Sequence, residues 1–374
     1  MDEKKPGVKK AEPKAKTLKL VDSTEDKAAQ HAEALELLGA IKKGAKGEVV
    51  DAQMLGAEGL ALKIRGVVST RVPQIDLVIG RGGFPLGRLS VLTGGEGGGK
   101  TTLALHAIAE IQSKGGLGIY CDREFKLDPD YAKAIGVNLD DLIVTRPHTL
   151  EDFIDQMHRL IGTIKKVRER TGKRRPVLFV LDSLNALRAK AVLEGDAGDH
   201  HVAPEARKWS THLPDIIAEA SHEDIALVFI SQVRKKIGVM FGSPDDIAGG
   251  EAVKFFASVI LKVTRIGNER APIKGSDKTK KVANKLEVVA NKNQVAPPFG
   301  TCNIVMSYGT GVHRTRSLIE ACVETGLCKM DGNTFVDPYG TELGVGIKAS
   351  VATLDLDKKR RSALLKAFRE AQGW

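Results

Sequence analysis

The chain has 374 residues, 42% hydrophobic and 28% charged, a globular balance that excludes a wholly disordered, collagenous or coiled-coil protein. Its length predicts one large core with appendages. Lys and Arg number 57 against 47 Asp and Glu, a formal net charge of +10, which favours an anionic partner, with nucleic acid ahead of a membrane surface.

No apolar run approaches the roughly 18 residues of a membrane-spanning helix, and the Lys-rich start has no apolar stretch behind it to form a signal peptide. A cytoplasmic location and no membrane partner are therefore expected. Cys121, Cys302, Cys322 and Cys328 are too irregularly spaced for a disulfide scaffold or a zinc site and read as reduced thiols.

In chain order, residues 1–20 (MDEKKPGVKKAEPKAKTLKL) predict a disordered basic tail, equally suited to a solvating leader or a nucleic-acid arm. Residues 21–66 are expected to form an N-terminal helical segment, an oligomerisation element if its partner is another subunit: from Thr24 to about Ile41, Ala34, Leu37, Leu38 and Ile41 make one apolar face, with Ser23 or Thr24 as cap. Such a stripe needs a surface, in its own domain or on a neighbouring subunit. From 67 to 310, apolar runs alternate with helical patterns: LSVLTG (89–94), GLGIYCD (116–122), LIVTR (142–146), VLFVLD (177–182), IALVFISQ (225–232) and SVILKVTRI (258–266). Runs of this kind predict an α/β core with a mostly parallel central sheet covered on both faces. Residues 311–374, with Leu318, Ile319, Cys322 and Val323 at helical spacing and a basic last helix from about Asp357 to Ala371, are expected to form a small α+β domain.

The strongest chemical signal is GGEGGGKTT: Gly94, Gly95, Glu96, Gly97, Gly98, Gly99, Lys100, Thr101 and Thr102 lie between the strand LSVLT and a helical run. Sequence and context match a P-loop, in which backbone N–H groups and a helix N-terminus cradle phosphates, Lys100 reaches the terminal phosphates and Thr101 ligates Mg²⁺. ATP with Mg²⁺ is the expected ligand. Asp182, closing VLFVLD, is placed to meet the Mg²⁺ shell, although DSLNAL also reads as a helix start that an aspartate would cap. Glu124, just past the strand GIYCD, is the expected general base, with Asp122 in reserve. Tyr131 is placed for the adenine face or for packing.

Two segments follow strands on the same sheet edge, residues 192–207 and 233–250. The second mixes Arg234, Lys235 and Lys236 with Ile237, Gly238, Val239, Met240 and Phe241. Cations beside unburied apolar groups suit a single strand, because cations meet phosphates while apolar side chains wedge between bases. A partner-binding or merely flexible insertion is the plainer alternative. Gln232, ending its strand, is placed to contact a γ-phosphate and move this loop. His200 and His201 lack further ligands at zinc spacing.

Together these residues resemble the bacterial RecA recombinases and their phage counterparts over roughly residues 67–345. The similarity lies in GGFPLGRLSVLTGGEGGGKTT, CDREFKLDPDYAKAIGV, VLDSLNALRAKAVLEGDAGD, FISQVRKKIGVMFGSPDDIAGGEAVKFFASV and ANKNQVAPPFGT. The resemblance implies an ATP-dependent strand-exchange protein that forms a helical filament on single-stranded DNA and tests a homologous duplex by pairing. It implies that Glu124 activates water, Tyr131 stacks on adenine and Gln232 senses the γ-phosphate. It also places residues 195–203, with Val202, and 233–248 as DNA-binding loops, Ile237 between base triplets, and Arg207, Arg234 and Lys236 on the DNA backbone. Phe255 would lie at the subunit interface, where Lys292 would reach the neighbour's ATP. Here Ala290 stands where the family commonly has a second trans lysine, Pro214 where a basic residue is common, and a basic end replaces the acidic tail. A loader protein or a repressor is a further partner open to such a chain. The rival expectations are a ring helicase or translocase with a RecA-like core and an ATP-switched regulatory assembly ATPase, since such cores host all three.

Overall fold

The computed structural model describes residues 24–42, 64–194, 203–235, 245–273 and 278–374. The expected tail at 1–20 lies outside them. In the unit formed by residues 1–63, helix α1 (Thr24–Lys42) is the described element; Leu35, Leu37 and Ile41 on it are exposed.

The second unit, residues 64–374, is built on a nine-stranded sheet. Its strands are β1 (Leu89–Gly94), β2 (Leu117–Asp122), β3 (Leu142–Thr145), β4 (Val177–Asp182), β5 (Ile225–Gln232), β6 (Val259–Pro272), β7 (Thr279–Asn293), β8 (Thr301–Ser307) and β9 (Gly311–Val312). They lie in the order β9-β8-β7-β6-β1-β5-β4-β2-β3. From β6 to β3 every neighbour is parallel, whereas β6 through β9 pair antiparallel. The sheet therefore runs on to Val312.

The helices are α2 (Pro73–Ile79), α3 (Lys100–Ser113), α4 (Pro129–Ile135), α5 (Leu150–Thr171), α6 (Lys190–Glu194), α7 (Ala203–His222), α8 (Gly250–Phe256), α9 (Arg314–Glu324), α10 (Gly346–Leu356) and α11 (Lys358–Ala371). Side chains alternate across the central strands, so each strand feeds two cores. Leu178, Val180, Val228 and Ile230 pack with Leu103, Ala107 and Ile108 of α3, while Phe179, Leu181, Leu227 and Phe229 pack with Phe153 of α5 and Trp209 and Leu213 of α7. Phe153 meets Phe179, Trp209 and Phe229 with ring centroids 5.7–6.1 Å apart. Such tilted contacts anchor the second core.

Helix α5 begins at a full capping box, Thr149 with Asp152, and α7 carries Pro214 in its interior. The expected helix after Asp182 is instead a three-residue 3₁₀ turn, Leu184–Ala186, followed by α6. Ser183 stands at its cap without a side-chain cap bond, so this aspartate is not engaged in capping. The C-terminal part is a three-stranded antiparallel sheet, β10 (Lys329–Asp331), β11 (Thr334–Val336) and β12 (Glu342–Val345), packed with α9, α10 and α11 around Leu318, Phe335, Leu354 and Phe368. Leu77 of α2 packs against this cluster, which ties the C-terminal part to the main core.

Candidate nucleotide site at the carboxyl edge of the sheet

Strand β1 ends in the P-loop because its last residue must be glycine. Gly94 has φ 148° and a Cβ there would stand 2.1 Å from the carbonyl oxygen of Val263 on β6. Gly99, the left-handed cap of α3 at φ 83°, would press a Cβ to 2.5 Å from Met306 Sδ. Close approach of these strands thus fixes the loop over the helix N-terminus.

Beyond it opens a cavity of about 510 Å³ lined by Glu96–Thr102, Glu124, Lys126, Tyr131, Asp182, Gln232, Asn284, Met306 and Tyr308, among others. That volume is in the range of a nucleotide-sized ligand site. Lys100 is buried and donates from Nζ to the carbonyls of Gly94 at 3.0 Å and Gly95 at 2.7 Å. Burial lowers its pKa, opposed by the negative charges of Asp182, Glu124 and Glu96.

Asp182, at the end of the fully buried β4, accepts at Oδ2 from Thr101 Oγ1 and from Tyr120 OH, both at 2.6 Å. Its desolvation pushes its pKa up against those bonds. The pair Thr101–Asp182 forms a hydroxyl–carboxylate donor set of the hard-oxygen kind Mg²⁺ takes. Among the described residues no group of three or more His, Cys, Asp and Glu forms a self-sufficient metal site, so a cation here would complete its shell with water or ligand oxygens. His200 and His201 lie outside the described residues.

Glu124 sits past the end of β2 with Oε1 accepting from Ser183 Oγ at 2.6 Å and from Gln232 Nε2 at 3.0 Å; Oε2 pairs with Lys126 at 3.1 Å. Burial would raise its carboxyl, but the bonds from Ser183, Lys126 and Gln232 outweigh it and hold it below the ordinary range. Asp122 is 2% exposed, bound to Arg146 at 3.3 Å and to the Lys126 and Leu127 amides, and does not line the cavity. Of the two acids, Glu124 lines the cavity and Asp122 does not. Tyr131 stands on α4, whose cap Asp128 accepts from its amide, and its hydroxyl meets Thr102 Oγ1 at 2.9 Å.

Asn284 of β7, Met306 of β8 and Tyr308 just beyond it complete the opposite wall. Sequence reasoning missed them: alternation in TCNIVMS marks a strand, but nothing local brings that strand beside a P-loop far earlier in the chain. Tyr308 OH donates to Asn284 Oδ1 at 2.8 Å.

Other expected residues stand apart. Phe255 is 74% exposed at the end of α8, and Lys292 Nζ donates to the carbonyls of Lys254 at 2.8 Å and Phe255 at 2.7 Å. Neither lines the nucleotide cavity of its own chain, and burial lowers the Lys292 pKa. Arg207 is exposed on α7. Arg234 and Lys235 form a short strand paired antiparallel with Asp245–Asp246, beginning two residues after Gln232. Val202, Lys236, Ile237, Gly238, Val239, Met240 and Phe241 lie outside the described residues.

Comparison with known proteins shows the family. Residues 36–313 match the RecA N-terminal domain. The chain belongs to the RecA family. It is 39% identical to Protein RecA of Leptospira meyeri over 82% of this chain and 73% of that protein. Protein RecA 1 of Myxococcus xanthus is 38% identical, covering 78% of this chain and 80% of its own length. Protein RecA of a Mycobacterium species is 40% identical over 75% and 76%. As a RecA-family recombinase the chain is a nucleotide-binding, DNA-dependent ATPase. No helix among the described residues is long and apolar enough to cross a membrane.

Proposed function

We propose that this RecA-family chain forms a cytoplasmic helical filament on single-stranded DNA, with ATP and Mg²⁺ held at the P-loop, and pairs that strand with a homologous duplex. Bound between Thr101, Asp182 and phosphate oxygens, Mg²⁺ would neutralise phosphate charge. Lys100 leaves the carbonyls of Gly94 and Gly95 to bind the terminal phosphates, and the loop amides and helix α3 orient them. Glu124, low in pKa and therefore ionised at neutral pH, takes the proton of the attacking water. Tyr131 and Tyr308 flank the base.

The observation that carries this reading is the shared oxygen: Glu124 Oε1 accepts from both Ser183 and Gln232. Gln232 is the last residue of β5 before the segment with Arg234 and Lys235. A shift of the Gln232 amide from Glu124 to a phosphate would free the base and displace the start of that segment, linking ATP state to DNA contact. Phe255 and Lys292, standing outside their own chain's nucleotide cavity, act on the next subunit through a repeating head-to-tail contact. Residues 202 and 236–241, with Arg207, Arg234 and Lys235, hold the strand by backbone charge and apolar wedges.

The test is ATP hydrolysis with and without single-stranded DNA, imaged in parallel by negative stain. DNA-stimulated turnover with helical filaments is expected, and Gln232→Ala should retain basal hydrolysis while losing most of the stimulation. DNA-independent turnover on closed rings would move the chain to the helicase or regulatory class.

A further inference from the structure

A second cavity, of about 190 Å³, lies where the C-terminal helices meet the main core, and four guanidiniums line it: Arg71, Arg314, Arg361 and Arg369. Arg71 belongs to the turn before α2, Arg314 opens α9, and the other two lie on α11. Two carboxylates, Asp76 and Glu110, share the lining. Glu110 is already divided among three cations, Arg71 at 3.1 Å, Lys114 at 3.1 Å and Arg369 at 3.4 Å. Asp76 spends its oxygens on Ser69 Oγ at 2.5 Å, Thr70 N at 2.9 Å and Thr70 Oγ1 at 2.7 Å. Arg361 leans on Asp355 at 3.2 Å, outside the cavity lining.

Arg314 is different. Among the described residues its side chain makes no hydrogen bond and has no carboxylate within ion-pair distance, whereas its cavity neighbours Arg361 and Arg369 each have one. Instead it faces like charge: burial, Arg71 and Arg361 all lower its pKa, with only Glu110 opposing. The far wall is apolar, formed by Leu318, Leu365, Phe368 and Trp374. Arg71, Arg361 and Arg369 have carboxylate partners, but Arg314 adds an unpaired guanidinium beside them and an apolar wall, which costs stability unless an anion joins it. Guanidinium forks match tetrahedral oxyanions through paired N–H donors.

We propose that this cavity is a second anion site, distinct from the P-loop, that takes a small free phosphoryl anion of the phosphate or pyrophosphate class. The volume is several times that of a water molecule's share of liquid, roughly 30 Å³, and sufficient for such an anion. Enclosure between α2, α3, α9 and α11 suits a small ligand better than a polymer backbone. Bound there, the anion bridges Arg71 of the core to Arg314 and Arg361 of the C-terminal part. It therefore stiffens the junction between them.

The experiment titrates pyrophosphate into the full chain carrying Lys100→Ala, at constant ionic strength and without divalent metal, by calorimetry. Lys100→Ala weakens the P-loop contact, so the remaining site should report the junction. Adding Arg314→Ala should weaken that binding by about tenfold or more, while Arg314→Lys retains most of it. Without pyrophosphate, Arg314→Ala should leave the melting temperature unchanged or raised, because it removes a repelled charge. Binding indifferent to Arg314→Ala, or no binding in the Lys100→Ala chain, overturns the proposal. So does a large fall in melting temperature in anion-free buffer, which would make Arg314 a structural link. Stoichiometric displacement of pyrophosphate by a short DNA duplex would assign the charge to DNA instead and equally overturn it.

Discussion

The two anion-facing cavities of this chain are built with opposite charge balance. At the carboxyl edge of the sheet, Lys100 stands among Asp182, Glu124 and Glu96; at the C-terminal junction, four arginines face two carboxylates. On the proposed reading the ligand brings its own cation to the edge site, where Asp182 and Glu124 would otherwise repel a polyphosphate. There Glu124 acts on the attacking water and Asp182 on the cation, on the same reading. The junction has surplus positive charge, and its two carboxylates are already engaged by Ser69, Thr70, Arg71, Lys114 and Arg369, so it is suited to holding and not to reacting.

The sharpest way to break this contrast is Glu124→Gln. If the acid works on water, hydrolysis should fall by about 10²–10⁴-fold while nucleotide affinity changes little or improves. A steady-state ATPase assay beside a nucleotide-binding titration separates the two. Near-normal turnover would reduce the edge carboxylates to electrostatic bystanders.

Next in size is the junction's own acid. Burial raises the Asp76 carboxyl from 3.8 to about 7, against the bonds from Ser69 and Thr70. Below pH 4 both folded and unfolded chains hold the proton and no penalty exists. Between about pH 4 and 7 the unfolded chain ionises freely while the folded one resists, so this group's contribution to stability falls with rising pH. The loss approaches roughly 4 kcal/mol at most. Asp76→Asn should flatten that part of the stability profile, measured as the difference between variant and parent in denaturant titrations from pH 4 to 8. An unchanged difference across the range would mean that Asp76 stays ionised in the fold.

Metal removal tests the charge contrast directly. Chelating Mg²⁺ should weaken nucleotide binding at the edge site by about a hundredfold and leave pyrophosphate binding at the junction within about threefold, since guanidiniums need no cation. Equal sensitivity at both sites would erase the distinction.

How much of this was legible in the sequence follows from what each element exposes. Strands β1, β4 and β5 are buried on both faces, so each appears as an unbroken apolar run, and their ends coincide with LSVLTG, VLFVLD and IALVFISQ. Lys100, Thr101, Asp182 and Gln232, at or just past those ends, were legible with them, and Glu124 was legible from the end of β2. The hairpin β6–β7 was only partly legible. Beyond Ile266 the strands carry exposed Lys280, Lys281 and Lys285, and alternation diluted by lysine resembles a loop. Asn284 was hidden for that reason, whereas Met306 and Tyr308 lie on or just past a strand that alternation marks but that nothing local brings beside the P-loop. The arginine cavity was illegible for a different reason: its members come from residues 71, 314, 361 and 369, and only folding collects them.

The smallest expected effect sharpens the edge site itself. Tyr131 comes with the α4 segment that follows β2, whereas Tyr308 comes from the antiparallel side of the sheet and is 51% exposed. If the base lies between them, each ring should contribute about 1 kcal/mol of contact. Tyr308→Ala and Tyr131→Ala should then each weaken ATP binding by about fivefold, with inorganic triphosphate unaffected, because the rings touch the base and not the phosphates. Tyr131→Ala also removes the hydroxyl partner of Thr102, so Tyr131→Phe is the control that isolates the ring. Tyr308→Phe likewise separates stacking from the bond to Asn284. If Tyr308→Ala weakened triphosphate as much as ATP, the antiparallel wall would be shaping the P-loop through Met306 and Gly99, and the base would rest on Tyr131 alone.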